Sequence, residues 1–318
     1  LKTQNIVIQW IKKNSFVLLL LCAFISTDIL FSAWDPMRTS LVFYKDDFNK
    51  TLLSHNQVRE APLFYGNSAV AAAFIEQESS LPLVEMGLSY GKIADLQAIL
   101  KKDLYRPEGM LIIGIDPHIM LDKLDTDPTY PWFKSYYVPY VYFYRDYMRE
   151  VLVNSAKSFA GNISQGKLGA DLEKVWTDKM LYFGQLPPDK LKEKWEGYER
   201  QFGWMSVEKD FVNNLEALIW VLEESERRKL PVGIVWMPVN FSEKYPAQSY
   251  WEPLQKRIQT ILEAYQVPSL DLRNQYPSQN FHDFVHIERV VGAPKFTQDI
   301  KNWLKQPNSI RLPQKRST

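Results

Sequence analysis

Short uninterrupted apolar runs alternate along this chain with stretches in which apolar residues recur at helical spacing. The runs at 63–65 (LFY), 83–87, 110–115 (MLIIGI), 232–237 (VGIVWM) and 268–272 predict strands, and those at 110–115 and 232–237 read as buried. Between and after them, periodic patterns predict helices over 69–78, 92–102, 211–229, 251–265 and 294–304. In the second of these, Ile93, Leu96 and Leu100 share one face. Strands separated by helices argue for an α/β fold, a parallel sheet with helices on both faces.

Two regions depart from this rhythm. Residues 117–205 hold no convincing strand and include YPWFKSYYVPYVYFYRDYMREVL at 130–152, with an aromatic residue at nearly every second position. The stretch reads as a helical insertion: a core-packing subdomain first, or a lid or wall at an active site where aromatics would meet sugars or lipid headgroups. The second departure is the apolar run at 16–34, FVLLLLCAFISTDILFSAW, preceded by Lys12 and Lys13 and broken by Asp28. Nineteen residues at helical rise span about 29 Å, roughly one hydrocarbon core. Lysines before the run and Trp34 at its end predict an uncleaved signal anchor, with residues 1–15 inside and the bulk outside. A cleaved signal peptide fits less well, because Phe31-Ser32-Ala33 is a poor cleavage site, and Leu21 before Cys22 argues against a lipoprotein. The chain opens on Leu1 rather than Met, which reads as a trimmed N-terminus or an unusual start codon. The expected organisation is an anchor at 16–34, a polar stalk at 35–60, an α/β domain at 61–306 carrying the insertion, and a flexible tail at 307–318.

Composition narrows the function classes. The chain has 318 residues, 46% of them hydrophobic, enough for one large domain or two small ones. Its net charge of +1, from 38 basic and 37 acidic residues, supplies no field suited to nucleic acid. The single cysteine, Cys22, excludes an intrachain disulfide and leaves the redox compartment unread. There is no Gly-rich phosphate loop, zinc-type cysteine spacing or internal repeat, and no cofactor is implied. The 10 Trp, 17 Tyr and 17 Phe suit a carbohydrate, lipid or membrane surface as well as a large core.

In a parallel α/β sheet, functional groups collect at the carboxyl ends of the strands. Gly66-Asn67-Ser68 follows the first strand, Gly87-Leu88-Ser89-Tyr90-Gly91 the second, and Gly114-Ile115-Asp116-Pro117 contains the end of the third; Asp283-Phe284-Val285-His286 follows the last. A serine hydroxyl becomes a nucleophile when a histidine takes its proton, and a carboxylate orients that histidine. Backbone N–H groups near strand-end glycines can face a developing oxyanion. Ser68 is a helix N-cap or a nucleophile on its own merits; the Asp-x-x-His favours the nucleophile. Gly87 and Gly91 also suit plain turns. His282 and His286 resemble a degenerate zinc pair, but Pro277 and Asn280 upstream leave no long helix to carry them, so no metal is expected. His118 is expected at a surface loop or in the insertion.

Taken in order, these motifs resemble the SGNH (GDSL-like) hydrolase superfamily. Gly66-Asn67-Ser68 looks like block I, Gly87 in EMGLSYG like the block II glycine, Gly114-Ile115-Asp116 like block III, and Asp283-Phe284-Val285-His286 like the block V Asp-x-x-His, with Gly292 following it. The resemblance covers 63–304 apart from the insertion. It implies a flavodoxin-like three-layer sandwich, with Ser68 as nucleophile, His286 as general base and then acid, and Asp283 orienting His286. The N–H groups of Ser68 and Gly87 would form part of the oxyanion hole. Two positions depart from the family pattern: Asn67 stands where Asp is commoner, and Asp116 where block III carries Asn. An ionised Asp accepts but cannot donate, so Asp116 cannot be the third oxyanion donor in that state.

A single N-terminal span with a serine-type domain outside is similar in layout to the extracytoplasmic partners of membrane-bound O-acyltransferases, which include alginate and peptidoglycan O-acetylation proteins and the teichoic acid D-alanyl transfer protein. That resemblance implies residence at a bacterial cytoplasmic membrane, an acyl donor, a polysaccharide acceptor and a multispanning partner. It leaves open a non-catalytic glycan-binding scaffold and a membrane-anchored lipase or esterase.

Overall fold

The apolar runs do form strands. A computed structural model of the chain describes residues 12–34, 47–56, 58–122, 159–166, 181–240 and 249–315, with residues 10 and 156 besides. The chain divides into two units, residues 1–45 with 130–177 and residues 46–129 with 178–318.

In the first unit, α1 runs Ser15–Trp34. Its Phe16, Leu19, Leu20, Phe24 and Leu30 are exposed. Among the described residues no helix is long and apolar enough to cross a membrane. This corrects the expected transmembrane segment: the helix forms, but its unbroken apolar run ends where Ser26, Thr27 and Asp28 enter. The aromatic stretch at 130–152 lies outside the described residues.

The second unit is an α/β fold. Its strands are β1 Leu63–Asn67, β2 Val84–Leu88, β3 Leu111–Ile115, β4 Val232–Trp236 and β5 Ser269–Asp271. All pair in parallel in the order β2-β1-β3-β4-β5, which is compatible with a flavodoxin-like layout. The helices are α2 Asp47–Ser54, α3 Ser68–Ala73, α4 Glu76–Ser79, α5 Ile93–Lys101, α6 Pro188–Phe202, α7 Val207–Asp210, α8 Val212–Arg228, α9 Trp251–Ala264 and α10 Gly292–Leu304. Because side chains alternate along a strand, each buried strand serves two cores. Phe64, Ile112 and Val235 join Val70, Phe74, Phe296 and Trp303 in a core built with α3 and α10. Tyr65 faces the other way, and its hydroxyl donates to the Lys92 carbonyl at 2.6 Å at the start of α5, which packs against α8.

Small residues let α3 lie close to the sheet. A Cβ at Gly66 would sit 2.1 Å from Val70 Cγ2, and one at Gly114 2.4 Å from the same atom. One at Gly87 would sit 2.5 Å from the Ala71 nitrogen. Three glycines on adjacent strands thus form the seat for the sequence SAVAAA. Separations this short are outside what a packed Cβ tolerates.

Several expectations need correction. The helix expected over 69–78 is two short helices, because Phe74 and Ile75 turn extended between them and the Ile75 N–H donates to Thr297 Oγ1 of α10 at 2.9 Å. Tertiary packing overrides local helical preference there. The expected stalk at 35–60 contains α2, whose Phe48 and Leu52 are fully buried. Asp47 of α2 accepts from the Ser89 N–H at 2.7 Å, so the helix is docked beside the end of β2. The expected flexible tail is tied down as well: the Arg311 and Val232 backbones exchange hydrogen bonds at 2.6 and 3.0 Å, and the Gln314 N–H donates to the Tyr265 carbonyl at 2.9 Å.

Candidate active site

Whether Ser68 caps a helix is answered by its neighbour. Asn67 ends β1 with extended backbone, and its side-chain oxygen accepts from the Ala69 N–H at 2.9 Å, so Asn67 is the N-cap of α3. The Asn67 amide donates at its other end to Asp116 Oδ1 at 2.7 Å. With that N–H capped by Asn67, the Ser68 hydroxyl turns elsewhere: Ser68 Oγ lies 2.9 Å from His286 Nε2.

The histidine comes from the loop between β5 and α10. An antiparallel bridge between Phe281 and Ile287 closes this loop, and the His282 N–H donates to the His286 carbonyl at 2.9 Å. Phe281 and Ile287 are buried in the core below it. Inside the loop, Asp283 Oδ1 accepts the N–H groups of Val285 at 3.0 Å and His286 at 2.8 Å, a local turn that Asp favours. Its Oδ2 lies 2.7 Å from His286 Nδ1. Glu288 holds the exit, accepting from Val290 at 2.8 Å and Val291 at 2.6 Å. Gly292 is required there, since a Cβ would meet the Asn280 carbonyl oxygen at 2.3 Å.

Ser68, His286 and Asp283 therefore form one hydrogen-bonded line across 218 residues of separation. Asp283 is fully buried, and Lys194 of α6 also pairs with its Oδ2. Burial alone pushes the Asp283 carboxyl up, but His286 and then Lys194 reverse this by charge and hydrogen bonding and hold it far below the usual carboxylate range. It stays an anion, the state needed to accept from the His286 ring. The Asn240 amide donates to the Asp283 carbonyl at 3.3 Å, fixing the turn from the side of β4.

The oxyanion-hole expectations fare differently. Asp116 is buried, and its Oδ1 accepts from the Asn67 amide and from the Ile119 N–H at 2.9 Å. Its Oδ1 is an acceptor within the β1–β3 junction, and its Oδ2 lies 3.6 Å from His118 Nδ1. As an acceptor it does not do the work of the block III donor. The Gly87 N–H points to the Glu85 carboxylate, which occupies it as an acceptor. The Ser68 N–H, at the first position of α3, is among the donors that a helix start leaves without an intrahelical partner.

Two side chains that sequence reasoning missed complete the site. The Tyr182 ring stacks on the His286 ring, with centroids 3.9 Å apart and planes 15° apart. Burial raises its phenol well above the usual range, and the Asp283 charge adds to this. Lys194 is the second. Neither carries a local signature: Tyr182 is one aromatic in an aromatic-rich region, and Lys194 resembles the solvated lysines Lys190 and Lys192 of the same helix. His118, expected at a surface loop or in the insertion, is largely buried between Tyr198 and Phe202 of that segment, with ring centroids 4.9 and 5.4 Å away. His282 turns Nδ1 to the Gly184 carbonyl at 2.7 Å. Among the described residues, no group of three His, Cys, Asp or Glu side chains could hold a metal ion.

No protein-family model matches the chain, and no curated protein matches it either.

Proposed function

We propose that this protein is a serine-dependent O-acyltransferase or esterase of the SGNH type, working outside a bacterial cytoplasmic membrane on a cell-envelope polysaccharide. The observation that carries the reading is the Ser68–His286–Asp283 line at 2.9 and 2.7 Å, set beyond the carboxyl end of β1. In the reaction, Ser68 Oγ attacks the carbonyl carbon of an ester donor while His286 Nε2 takes its proton. Asp283 stabilises the imidazolium without taking the proton. The tetrahedral adduct collapses, His286 protonates the departing alkoxide, and the acyl group stays on Ser68 as an ester. A sugar hydroxyl or water then attacks that ester, giving its proton to His286, and Ser68 is released.

The departures from the family pattern support this reading once paired. The resemblance sets Asp at position 67 and Asn at 116; this chain has the reverse, and the two are hydrogen-bonded to each other at 2.7 Å. An acid–amide pair with its ends exchanged keeps one donor and one acceptor, so the junction beside Ser68 is preserved. The exposed apolar side chains of α1, among them Phe16, Leu19, Leu20 and Phe24, support membrane association, with a multispanning acyl-transfer partner as the source of the acyl group.

A second reading, a non-catalytic glycan-binding scaffold, is favoured by one observation: the Glu85 carboxylate occupies the Gly87 N–H where an oxyanion would need it. A fluorophosphonate probe on the full chain decides. Labelling that disappears in Ser68→Ala and His286→Ala supports the enzyme, and an unlabelled wild type supports the scaffold.

A further inference from the structure

The imidazole of His286 is oriented by a carboxylate that it does not own alone. Asp283 Oδ1 is already satisfied by the Val285 and His286 N–H groups at 3.0 and 2.8 Å. Oδ2 is divided between His286 Nδ1 at 2.7 Å and the Lys194 ammonium. Lys194 reaches it from α6, a helix that begins at Pro188, a residue suited to a first helical position. Along this helix, Lys194, Trp195, Tyr198 and Phe202 recur at helical spacing and meet His118, just after β3, and the histidine loop. Trp195 and Tyr198 pack edge-on against Phe284 at 6.1 and 6.3 Å, and Tyr198 and Phe202 flank His118. Lys190 and Glu193 of the same helix stay exposed and pair with each other at 2.8 Å. The Lys194 side chain is 28% exposed, whereas that of Asp283 is fully enclosed. A surface ion pair contributes little, but a cation joined to a wholly buried carboxylate acts through low-dielectric surroundings.

We propose that Lys194 is a positioning residue for the acyl-transfer reaction: by sharing Asp283 Oδ2 with His286 it weakens the carboxylate's hold on the imidazolium, and so sets the pH above which Ser68 can be activated. The proposal rests on the acyl-transfer reading. The charge balance behind it is simple. The imidazolium that forms when Ser68 gives up its proton is stabilised by the net charge facing it, and an ammonium on the same carboxylate oxygen offsets part of the Asp283 charge. The other groups facing the ring do not replace Lys194. Tyr182, from the segment before α6, stays a neutral phenol, and Ser68 of α3 does not titrate. Asn240, from beyond β4, is neutral. On the loop itself, His282 is turned to Gly184, and Glu288 is engaged with the N–H groups of Gly184, Val290 and Val291. Asp47 and Tyr90 act on the cluster through Tyr182.

The test uses the full chain, with p-nitrophenyl acetate as the ester, and compares wild type, Lys194→Met and Lys194→Arg. In Lys194→Met the acid limb of kcat/KM moves to higher pH by about one unit, KM stays within about twofold, and Lys194→Arg restores the wild-type profile. An acid limb that does not move in Lys194→Met, or an Arg variant that behaves like Met, overturns the proposal, because a purely structural prop would lower activity without shifting its pH dependence. If Lys194→Met does not fold, Lys194→Gln takes its place. A wild type unreactive to fluorophosphonate sinks the acyl-transfer reading alone. In that case the NMR titration of the His286 ring in wild type and variant decides: a shift to higher pH in the variant supports Lys194, and no shift overturns it.

Discussion

The carboxyl ends of β1 and β2 lie side by side in register, with Gly66 opposite Gly87, yet they reach opposite chemical states. At the end of β1, the helix cap and the Asn67 amide are both satisfied without the serine side chain. Asn67 caps α3, Asp116 takes the Asn67 amide, and the Ser68 hydroxyl is left for His286. At the end of β2, the Gly87 N–H expected to face an oxyanion is taken by Glu85, two residues back on the same strand. The glycine itself serves the packing of α3, since a Cβ there would strike the Ala71 nitrogen. The contrast teaches that a residue of the right type becomes available for chemistry only when its neighbours satisfy the backbone around it.

The largest effect that would break this comparison is loss of the line through Ser68. Ser68→Ala and His286→Ala should each lower ester turnover by about 10⁴-fold or more, read as p-nitrophenyl acetate hydrolysis and probe labelling. A residual rate near wild type in either would place the chemistry elsewhere.

Asp283→Asn should cost somewhat less, about 10³- to 10⁴-fold, because the ring survives in the wrong tautomer. The same variant reports on stability. A depressed carboxyl stabilises the fold above its ordinary value near 4 and loses that contribution only as pH falls through the lower folded-state value. The melting-temperature gap between wild type and Asp283→Asn should therefore stay constant from about pH 7 to 5 and narrow only in stronger acid. A gap that closes by pH 6 would show that the carboxylate is not held down.

On the β2 side, Gly87→Ala should destabilise the fold by about 2–3 kcal/mol, measured by urea denaturation, because α3 must be lifted from its seat. A neutral result would return Gly87 to the oxyanion hole as its main role. Glu85→Gln sharpens the same point from the chemical side. Removing the carboxylate charge beside the Gly87 N–H should raise turnover by on the order of tenfold, and a fall instead would give Glu85 a positive part in the site. Smallest of all, Asn67→Ala should cost about 1 kcal/mol as a lost helix cap, and more if the buried Asp116 is left short of a donor.

Much of the fold was legible in the sequence. The five strands appear within a residue or two of the apolar runs; β1, β3 and β4 are buried at every position and have no polar residues on one face to disguise them, whereas β5 is a short, largely exposed edge strand. Two of the helices between β3 and β4, α6 against the histidine loop and α8 against α5, differ in how well they could be read. α8 follows a strong periodic pattern, whereas α6 carries mostly charged residues and shows its apolar side only through Leu191, Trp195, Tyr198 and Phe202. The 69–78 segment was misread because its break at Phe74-Ile75 depends on Thr297, 222 residues away. α2 and the C-terminal tail were read as loose because polar composition hides two buried side chains, Phe48 and Leu52, and a backbone bridge at Arg311.

By itself, the sequence determined the strand runs, the small-residue helix after the first strand, the glycines that seat it, and the Asp283–His286 turn, all of which are local consequences of residue size, periodicity and short-range hydrogen bonding. Only the tertiary structure decided that Asn67 and not Ser68 is the cap, that Asp116 and Glu85 are acceptors turned to other partners, and that Lys194 and Tyr182 stand over the triad. Those outcomes depend on which donor meets which acceptor across tens to hundreds of residues, and a hydrogen bond between distant segments leaves no periodicity in the chain to read.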